Sequence, residues 1–274
     1  MKVEDLLIYG KKHIHSDHSK ILLAELINKN PLELLNYLNE NVDDTTCEQY
    51  KKSVSAIESG QPLQYALGYV NFYGLRFYID KRVLIPRFET EELVENTIEY
   101  IKKYFTEPVD IIDLGCGSGA IGLTLEKKIS TKTVDLVDIS SEALEITHKN
   151  CGKFNSKANI IQNDFLNGIN KKYDVIISNP PYIKTNEKIE EIVKNNEPNI
   201  ALYAGEDGLD CYKKILSKIK DNMKDKCIVA FEIGYEQKDA IVSLINTYLK
   251  DIKIITKKDM SNKDRMIFIF KGIE

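Results

Sequence analysis

Val109-Asp-Ile-Ile-Asp-Leu-Gly-Cys-Gly-Ser-Gly119 is the stretch that decides the fold of this chain of 274 residues. Its apolar first half predicts a buried strand at residues 109–114, and its glycines predict a sharp turn into a helix at 119–128. Glycines let the backbone approach a ligand closely, and the free N–H groups that begin a helix attract an anionic group. The G-x-G-x-G spacing differs from the G-x-G-x-x-G of dinucleotide-binding proteins. The stretch therefore predicts a ligand-binding turn in an α/β protein.

Strands and helices alternate from Pro108 to the end of the sequence. Further strands are predicted at 133–138, 159–162, 173–178, 227–233, 251–257 and 265–270, and further helices at 141–153, 206–223 and 236–249. Such alternation is typical of a mostly parallel sheet with helices on both faces. Only a short polar loop, Lys258 to Asp264, joins the last two of the seven strands. Because no crossover helix fits in that loop, the last strand is predicted to run antiparallel.

The N-terminal part of the sequence, residues 1–68, is predicted to be a small bundle of three to five helices. Apolar residues have helical spacing in Leu22–Ile27 and again in Leu32–Leu38, where Pro31 suits a first helical turn. Thr45-Thr46-Cys47-Glu48 predicts a capping box for a third helix that reaches Ser59.

A β-hairpin is predicted between this bundle and the larger domain. Aromatic and β-branched residues from Tyr69 to Asp80 flank a central Asn/Gly turn signal. A loop at 83–91 follows, and residues 90–104 are predicted to be helical. The expected domains are thus a helical domain at 1–68, a hairpin linker at 69–86 and an α/β domain at 87–274.

Three consecutive strands of the α/β domain end in groups that a nucleoside-like cofactor needs. After the glycine turn, the second strand ends at Asp138, whose carboxylate suits the two hydroxyls of a ribose. The third ends near Asp164-Phe165, where a carboxylate can accept from an exocyclic amine and an aromatic ring can define an adenine slot. Each group alone has a purely structural alternative: a tight turn, a helix N-terminal acid beside Ser140 and Ser141, and a loop with a core aromatic. NAD or NADP is an alternative cofactor, but the glycine spacing differs and no hydride-transfer residue stands out.

The fourth strand, Tyr173–Ser178, ends at Asn179-Pro180-Pro181-Tyr182. The prolines fix the backbone, so the side-chain oxygen of Asn179 and the carbonyl oxygen of Pro180 are two rigid acceptors. Two such acceptors can orient a planar –NH2 group with its lone pair toward a cofactor, while Tyr182 offers an aromatic surface. The chemistry indicated is methyl transfer to a planar nitrogen, in which positioning and polarisation supply most of the catalysis. A Pro-Pro turn with a capping asparagine is the structural alternative.

Composition excludes several classes of protein. With 43% hydrophobic residues the chain can bury a core, and its net charge of −4 without a basic run argues against a nucleic-acid arm. Five scattered cysteines without a C-x-x-C pair indicate reduced thiols rather than disulfides or zinc, and no metal is expected. No apolar run is long enough for a membrane span, and the start, Met1 to Asp5, lacks the character of a signal peptide. A cytoplasmic location is expected.

Taken with these motifs, nearly the whole chain resembles the protein-(glutamine-N5) methyltransferases that modify peptide chain release factors, the PrmC/HemK family. Besides the glycine turn and the tetrad, the resemblance lies in Pro62–Gly68, Phe72–Gly74, Leu84–Glu91, Glu197-Pro198, Asp207–Leu209, Phe231–Gly234 and Asp264-Arg265. The tetrad is shared with DNA amino-methyltransferases, whereas the Ile85-Pro86-Arg87 segment and the helical N-terminal domain are specific to the family.

The resemblance implies a class I, Rossmann-like methyltransferase fold with S-adenosylmethionine as the methyl donor, which leaves as S-adenosylhomocysteine. It implies that the donor is bound by Gly115, Cys116, Gly117, Ser118, Gly119, Asp138, Asp164, Phe165 and Asn179. Some family members carry a tryptophan at the position of Phe165, where this chain keeps an aromatic residue.

For the substrate, the resemblance implies catalysis by Asn179, Pro180 and Tyr182, which with Pro181 would hold the glutamine of a Gly-Gly-Gln loop. Arg87 and Glu197 would line the substrate side, although a local ion pair of Arg87 with Glu89 or Glu91 is an equal alternative. The helical domain at 1–68 would help to dock the release factor. The expected protein is a monomeric enzyme of translation termination that binds neither nucleic acid nor membrane directly.

Two other functions compete with this one. A DNA adenine or cytosine amino-methyltransferase could use the same tetrad, but it must flip a base and grip phosphates, and the chain has no basic tract or inserted DNA-recognition domain. A non-catalytic adaptor would bind the donor or a release factor without methyl transfer, and the intact tetrad argues against it.

Overall fold

The computed structural model describes Met1–Ile273, which divide into two compact units. The first unit comprises Met1–Tyr69 together with the segment Glu190–Asn196. The second comprises Val70–Ile189 and the residues from Glu197 onward.

The helices and strands follow one another in a simple order. The α-helices are α1 (Val3–His13), α2 (Ser16–Leu26), α3 (Asp44–Glu58), α4 (Leu63–Leu67), α5 (Phe88–Tyr104), α6 (Ala120–Lys128), α7 (Ser141–Phe154), α8 (Glu191–Asn196), α9 (Asp210–Asn222) and α10 (Lys238–Tyr248). The strands are β1 (Tyr69–Phe72), β2 (Leu75–Tyr78), β3 (Val109–Leu114), β4 (Thr131–Asp138), β5 (Asn159–Gln162), β6 (Tyr173–Ser178), β7 (Met223–Glu232), β8 (Ile252–Lys258) and β9 (Asp264–Lys271). Short 3-10 helices lie at Leu34–Tyr37 and Asn199–Ala201.

The first unit is held together by an apolar core between its helices. Leu22 of α2 and Val54 of α3 are buried in this core. Tyr50 is fully buried, and its hydroxyl forms a hydrogen bond of 2.8 Å with Ser19 Oγ. A glycine is required at position 10 of α1, because a Cβ there would overlap with the Tyr50 hydroxyl. The prediction of a small helical bundle is confirmed for this part of the chain.

The predicted capping box at Thr45–Glu48 is wrong. Helix α3 begins at Asp44, and the side chain of Asp43 caps it by accepting from Thr46 N at 2.9 Å and from Thr46 Oγ1 at 2.7 Å. An aspartate carboxylate is a stronger acceptor than a threonine hydroxyl and is equally suited to the position before a helix. The cap therefore lies two residues earlier than the prediction placed it.

The predicted helix after Pro31 is also wrong, since the structure has only the 3-10 helix Leu34–Tyr37 there. The Asn30 side chain accepts from Leu32 N at 3.0 Å and turns the backbone locally, in competition with helix formation. Leu34 is buried, but Leu32 is 90% exposed, so the helical spacing of the leucines does not produce one apolar face.

The second unit is built on a seven-stranded sheet of order β5-β4-β3-β6-β7-β9-β8. All neighbouring strands are parallel except β9, which runs antiparallel to both β7 and β8. The mostly parallel sheet and its antiparallel last strand are thus confirmed. A separate two-stranded sheet, β1-β2, turns at Tyr73 and Gly74, both with positive φ as a tight hairpin turn requires.

Helices cover both faces of the sheet because alternate strand residues point to opposite sides. In β3, Ile111 belongs to one apolar core and Ile112 to the other. Residues of α5, α6 and α7 fill the first core, and residues of α9 and α10 fill the second. The strands are apolar on both faces, which is typical of a parallel sheet buried between helices.

The largest differences from the predicted boundaries, four residues each, are at the starts of α9 and β7. Helix α9 begins at Asp210 rather than at 206, because Gly208 has a φ of +73° and Asp207 Oδ1 accepts from Leu209 N at 2.9 Å. These two features make a turn that precedes the helix. Strand β7 begins at Met223, earlier than predicted, since Met223 pairs with Tyr173 of β6.

The register of the sheet determines what meets at its carboxyl edge. Ser178 at the end of β6 pairs with Phe231 of β7, so the residues that follow them, Asn179 and Glu232, are neighbours. In open α/β sheets ligands bind at this edge. Within Met1–Ile273, no helix combines the length and the apolar character that a membrane crossing needs.

Candidate active site

A cavity of about 330 Å³ lies in the second unit at the carboxyl edge of the sheet. The predicted site residues that line it are Gly115, Gly117, Asp138, Asp164, Phe165, Asn179 and Pro181. The lining also includes residues that sequence reasoning did not select, among them Arg82, Leu84, Ile139, Pro198, Ile200, Tyr203, Cys211 and Lys214. Residues from several separate loops and from α9 therefore meet at one place.

The glycine turn has the backbone that only glycine adopts readily. Gly115, Gly117 and Gly119 have φ values of +72°, +55° and +78°. Thr147 of α7 fixes the turn by donating to the Gly117 carbonyl at 2.7 Å. Below it, the buried carboxylate of Asp113 accepts from Gly122 N in α6 at 2.9 Å. The turn is therefore rigid.

Other residues of the predicted donor-binding turn lie outside the cavity wall. Cys116 and Ser118 are buried, with the Cys116 thiol 3.7 Å from Thr147 Oγ1 and the Ser118 carbonyl accepting from Asn150 Nδ2 at 2.9 Å. Gly119 forms the N-terminal boundary of α6. Their part in donor binding stays a prediction. It would involve their backbone groups, because the side chains of Cys116 and Ser118 are buried.

Asp138 combines a structural contact with a position on the cavity. Its Oδ2 accepts from Gly117 N at 2.8 Å and its Oδ1 from Ser140 N at 2.9 Å. Burial raises the pKa of its carboxyl group above the ordinary value, against the opposing effect of these backbone bonds. Ser140, not Ser141, caps α7 by accepting from Ala143 N at 3.1 Å. Because a carboxylate has further lone pairs, Asp138 can hold the turn and still accept from two hydroxyls.

Asp164 and Phe165 follow β5 at the cavity wall. Asp164 forms an ion pair of 2.9 Å with Lys214 of α9. Lys214 therefore competes with a ligand for the Asp164 carboxylate. Phe165 has a φ of +49°, a strained backbone for a bulky residue, and such strain is concentrated at functional sites. The aromatic ring of Phe165 lies beside Gly115. A Cβ added to Gly115 would be 3.7 Å from Phe165 Cε1.

Asn179 is held by a buried chain of hydrogen bonds. Its Nδ2 donates to Thr90 Oγ1 at 3.1 Å, and Thr90 Oγ1 donates to Glu232 Oε2 at 2.6 Å. In Met1–Ile273, neither Asn179 Oδ1 nor the Pro180 carbonyl oxygen has a hydrogen-bond donor. The two acceptors that the sequence predicted thus have no donor from the described residues at the end of β6, where Asn179 lines the cavity and Pro180 is buried.

Tyr182 is fixed in the wall behind the tetrad. Its carbonyl accepts from Gln237 Nε2 at 2.9 Å, and its ring packs against the core shared by α9 and α10. Burial, with the nearby Glu232, raises the pKa of the Tyr182 phenol to about 12, so it is neutral at physiological pH. Neither Tyr182 nor Pro180 belongs to the cavity lining, whereas Pro181 does.

Arg87 and Glu197 pair with each other. The Arg87 guanidinium contacts the Glu197 carboxylate, which is almost completely buried and also accepts from Ile85 N at 3.1 Å. The acidic partner of Arg87 is therefore Glu197, which is distant in sequence, and not Glu89 or Glu91. Neither residue lines the cavity, so their contact with a substrate stays a prediction.

The chemistry of the cavity fits a donor that is cationic at sulfur and carries a ribose and an adenine. Asp138 can bind the ribose hydroxyls, and Phe165 can contact a planar base. Gly117 has open space where a Cβ would be, which leaves room for a ligand against the turn. The basic residues at the wall, Arg82 and Lys214, are both neutralised by carboxylates. No group of His, Cys, Asp and Glu in the described part of the chain could hold a metal ion.

Sequence reasoning missed Thr90, Glu232 and Gln237. For Thr90 and Glu232 a signal was present, because the segments Leu84–Glu91 and Phe231–Gly234 carried the family resemblance, but neither residue was given a role; Gln237 lies outside these segments. A glutamate directly after the apolar run Cys227–Phe231 is also unusual, since buried carboxylates are costly.

Two family models and several named proteins are similar to this chain in sequence. The family model described as "Methyltransferase small domain" matches residues 94–197, and the one described as "PrmC N-terminal domain" matches residues 15–68. A protein of Bacillus subtilis named release factor glutamine methyltransferase is 39% identical over 86% of this chain and 84% of its own length. A protein of Clostridium botulinum with the same name is 35% identical over 97% of this chain and 98% of its own.

A solved structure supports the fold alone. A methyltransferase from Pyrococcus furiosus superposes with a TM-score of 0.54 over 81% of this chain and 100% of its own, at 18% sequence identity.

Proposed function

The chain belongs to the family of release factor glutamine methyltransferases, and on that premise we propose that it methylates the side-chain nitrogen (N5) of a glutamine in peptide chain release factors. The methyl donor is S-adenosylmethionine, and the acceptor is the glutamine of the Gly-Gly-Gln motif. The observation that carries the proposal is the pair of acceptors without a donor from Met1–Ile273 at the end of β6, Asn179 Oδ1 and the Pro180 carbonyl, of which Asn179 lines a cavity suited to the methyl donor.

The donor would be held by residues of the glycine turn, by Asp138 and by Phe165. When bound, it supplies an electrophilic methyl group on a positively charged sulfur. The rigid turn, with Thr147 donating to the Gly117 carbonyl, holds its shape without the donor and so lowers the ordering cost of binding.

The tetrad would act on the glutamine. Asn179 Oδ1 and the Pro180 carbonyl accept the two N–H groups of the amide, which places its nitrogen lone pair toward the cavity and shifts electron density onto the nitrogen. An amide is a weak nucleophile, so orientation and polarisation must lower most of the barrier. Tyr182 keeps its proton and serves as a neutral wall, which excludes it as a base. After alkylation the N–H proton is strongly acidic and passes to one of the two acceptor oxygens or to water, which leaves a neutral N-methyl amide.

The first unit would help to dock the release factor. The match of residues 15–68 to the PrmC N-terminal domain supports this role. We also propose that the protein acts as a cytoplasmic monomer without direct contact with nucleic acid or membrane. The net charge of −4 supports the absence of nucleic-acid contact, and the five free cysteines support the cytoplasmic location.

The test is transfer of label from S-adenosylmethionine to purified release factor, followed by mass spectrometry of the labelled peptide. One methyl group on the glutamine nitrogen is expected. The control is a release factor in which that glutamine is replaced by alanine. Full labelling of the control would refute the proposal, and labelling of duplex DNA instead would favour the amino-methyltransferase alternative.

A further inference from the structure

We propose that Thr90 and Glu232 are positioning residues that fix which end of the Asn179 amide faces the substrate. The inference rests on the proposed function, since it concerns the asparagine that would hold the glutamine. Neither residue lines the cavity, so each acts through Asn179 rather than on the substrate.

The first step of the argument concerns the direction of the hydrogen bonds. An ionised carboxylate can only accept, so Thr90 must donate its single hydroxyl proton to Glu232 Oε2, at 2.6 Å. The Thr90 oxygen can then only accept from Asn179. Hence Asn179 must turn its –NH2 group toward Thr90, at 3.1 Å, which leaves its oxygen as the free end of the amide in a residue that lines the cavity.

The second step concerns why this orientation matters. An asparagine side chain has almost the same shape in its two flipped forms, so packing alone does not select one. In the flipped form Asn179 would present a donor to the substrate amide, which needs an acceptor there. The carboxylate of Glu232 therefore selects the productive form.

The third step concerns the cost of Glu232. Its side chain is 2% exposed, and within Met1–Ile273 it forms no ion pair. The guanidinium of Arg265 instead pairs with Asp259 at 3.2 Å and donates to the Ile233 carbonyl at 3.2 Å. A carboxylate buried in this way is expensive for stability, which is a mark of a functional group.

Protonation of Glu232 would allow the Asn179 amide to adopt either of its two orientations. A neutral carboxyl group can donate to Thr90 Oγ1, which frees the threonine proton to bond with the oxygen of a flipped Asn179. Burial raises the pKa of Glu232 to about 7, so this change falls within an accessible range. The charged and titratable groups that face Glu232 from the neighbouring elements are Arg265 of β9, Tyr212 of α9, Tyr182 after β6, and Arg87 and Glu89 at the start of α5.

The experiment compares Thr90→Val, which removes the hydroxyl at constant shape, with Thr90→Ser, which keeps it. Turnover, KM for release factor, donor affinity by calorimetry and the melting temperature are measured for both. Loss of orientation should lower kcat of T90V about tenfold to hundredfold, with KM and donor affinity nearly unchanged. T90S should retain kcat within about threefold of the wild type, because a serine hydroxyl can make both bonds.

Glu232→Gln provides a second arm that does not depend on how well T90V folds. The kcat of the wild type should fall as pH falls below about 7, and this inflection should be absent from E232Q. Equal kcat values for T90V and the wild type, equal losses in T90V and T90S, or an inflection that persists in E232Q would overturn the inference. Wild-type protein without any transfer would instead overturn the proposed function, and the inference with it.

Discussion

Gly122 lies inside helix α6 where that helix packs on the sheet, and Gly122→Ala should destabilise the second unit. A Cβ at this position would overlap with Leu136 Cδ2 of β4 and lie 3.2 Å from both Asp113 Cβ and Asp113 Oδ2. Leu136 and Asp113 are fully buried, so neither can move aside freely. The helix must therefore shift away from the strand that precedes the glycine turn.

The magnitude follows from two opposing effects. Overpacking of a dense core costs about 1–3 kcal/mol, whereas alanine is favoured over glycine inside a helix by about 1 kcal/mol. The net loss should be about 1–2 kcal/mol, which lowers the melting temperature of a unit of this size by about 2–8 °C. Donor affinity should also fall, because a displaced Gly122 N no longer meets Asp113 Oδ2 at 2.9 Å.

Gly152 in helix α7 is the matched control. It is exposed, and a Cβ there has no atom within 4 Å, so Gly152→Ala adds helix propensity without overlap. Its free energy of unfolding should rise by about 0.5–1 kcal/mol, with unchanged donor affinity. Thermal unfolding and calorimetric titration with donor test both variants. A Gly122→Ala protein as stable as the wild type, or a Gly152→Ala protein that is destabilised, would refute this account of the packing.

Other predictions follow from the same contacts. Asp138→Ala should weaken donor binding about tenfold to hundredfold, as expected for lost hydrogen bonds to a charged group. Asp164→Ala should have a smaller effect, because Asp164 is paired with Lys214. Equal losses of donor affinity in the two variants, measured by titration calorimetry, would contradict this ranking. Burial raises the pKa of Glu232 and of Asp113 to about 7 each, from 4.5 and 3.8, so their neutral forms are favoured in the folded state and stability should decline as pH rises from about 5 to about 7. Urea unfolding of Glu232→Gln should show a shallower decline and higher stability than the wild type at pH 8; parallel curves would show that burial does not raise the pKa of Glu232.

The strands and their carboxyl ends could be predicted because local signals agree with tertiary structure there. The run Val109–Leu114 is apolar on both faces, and its burial is complete in the structure. The short loop between β8 and β9 left only an antiparallel arrangement, which the structure confirms. Such elements are determined by period and loop length, both of which can be read from sequence.

The errors arose where several local signals compete. Before α3, Asp43 and Thr45 are both acceptable caps, and charge favours Asp43. After Pro31, helical spacing of leucines competed with an asparagine turn at Asn30. Propensity cannot decide such cases without the packing of neighbouring elements.

The positioning network of the site could not be predicted for a different reason. Thr90 and Glu232 are 142 positions apart, and only the pairing of β6 with β7 and the packing of α5 bring them to Asn179. The pairing of Arg87 with Glu197 likewise spans 110 positions. Motifs indicated which residues form the site, whereas their hydrogen-bond partners required the fold.

The most direct test of the central claim is the single-turnover rate of methyl transfer by Asn179→Ala, measured with saturating donor beside the donor dissociation constant. If Asn179 orients the glutamine, the rate should fall about 100- to 1000-fold, as when one preorganised group of an active site is removed, with the dissociation constant within about threefold of the wild type. A variant that transfers methyl at the wild-type rate, or that loses donor affinity as much as it loses rate, would contradict the claim.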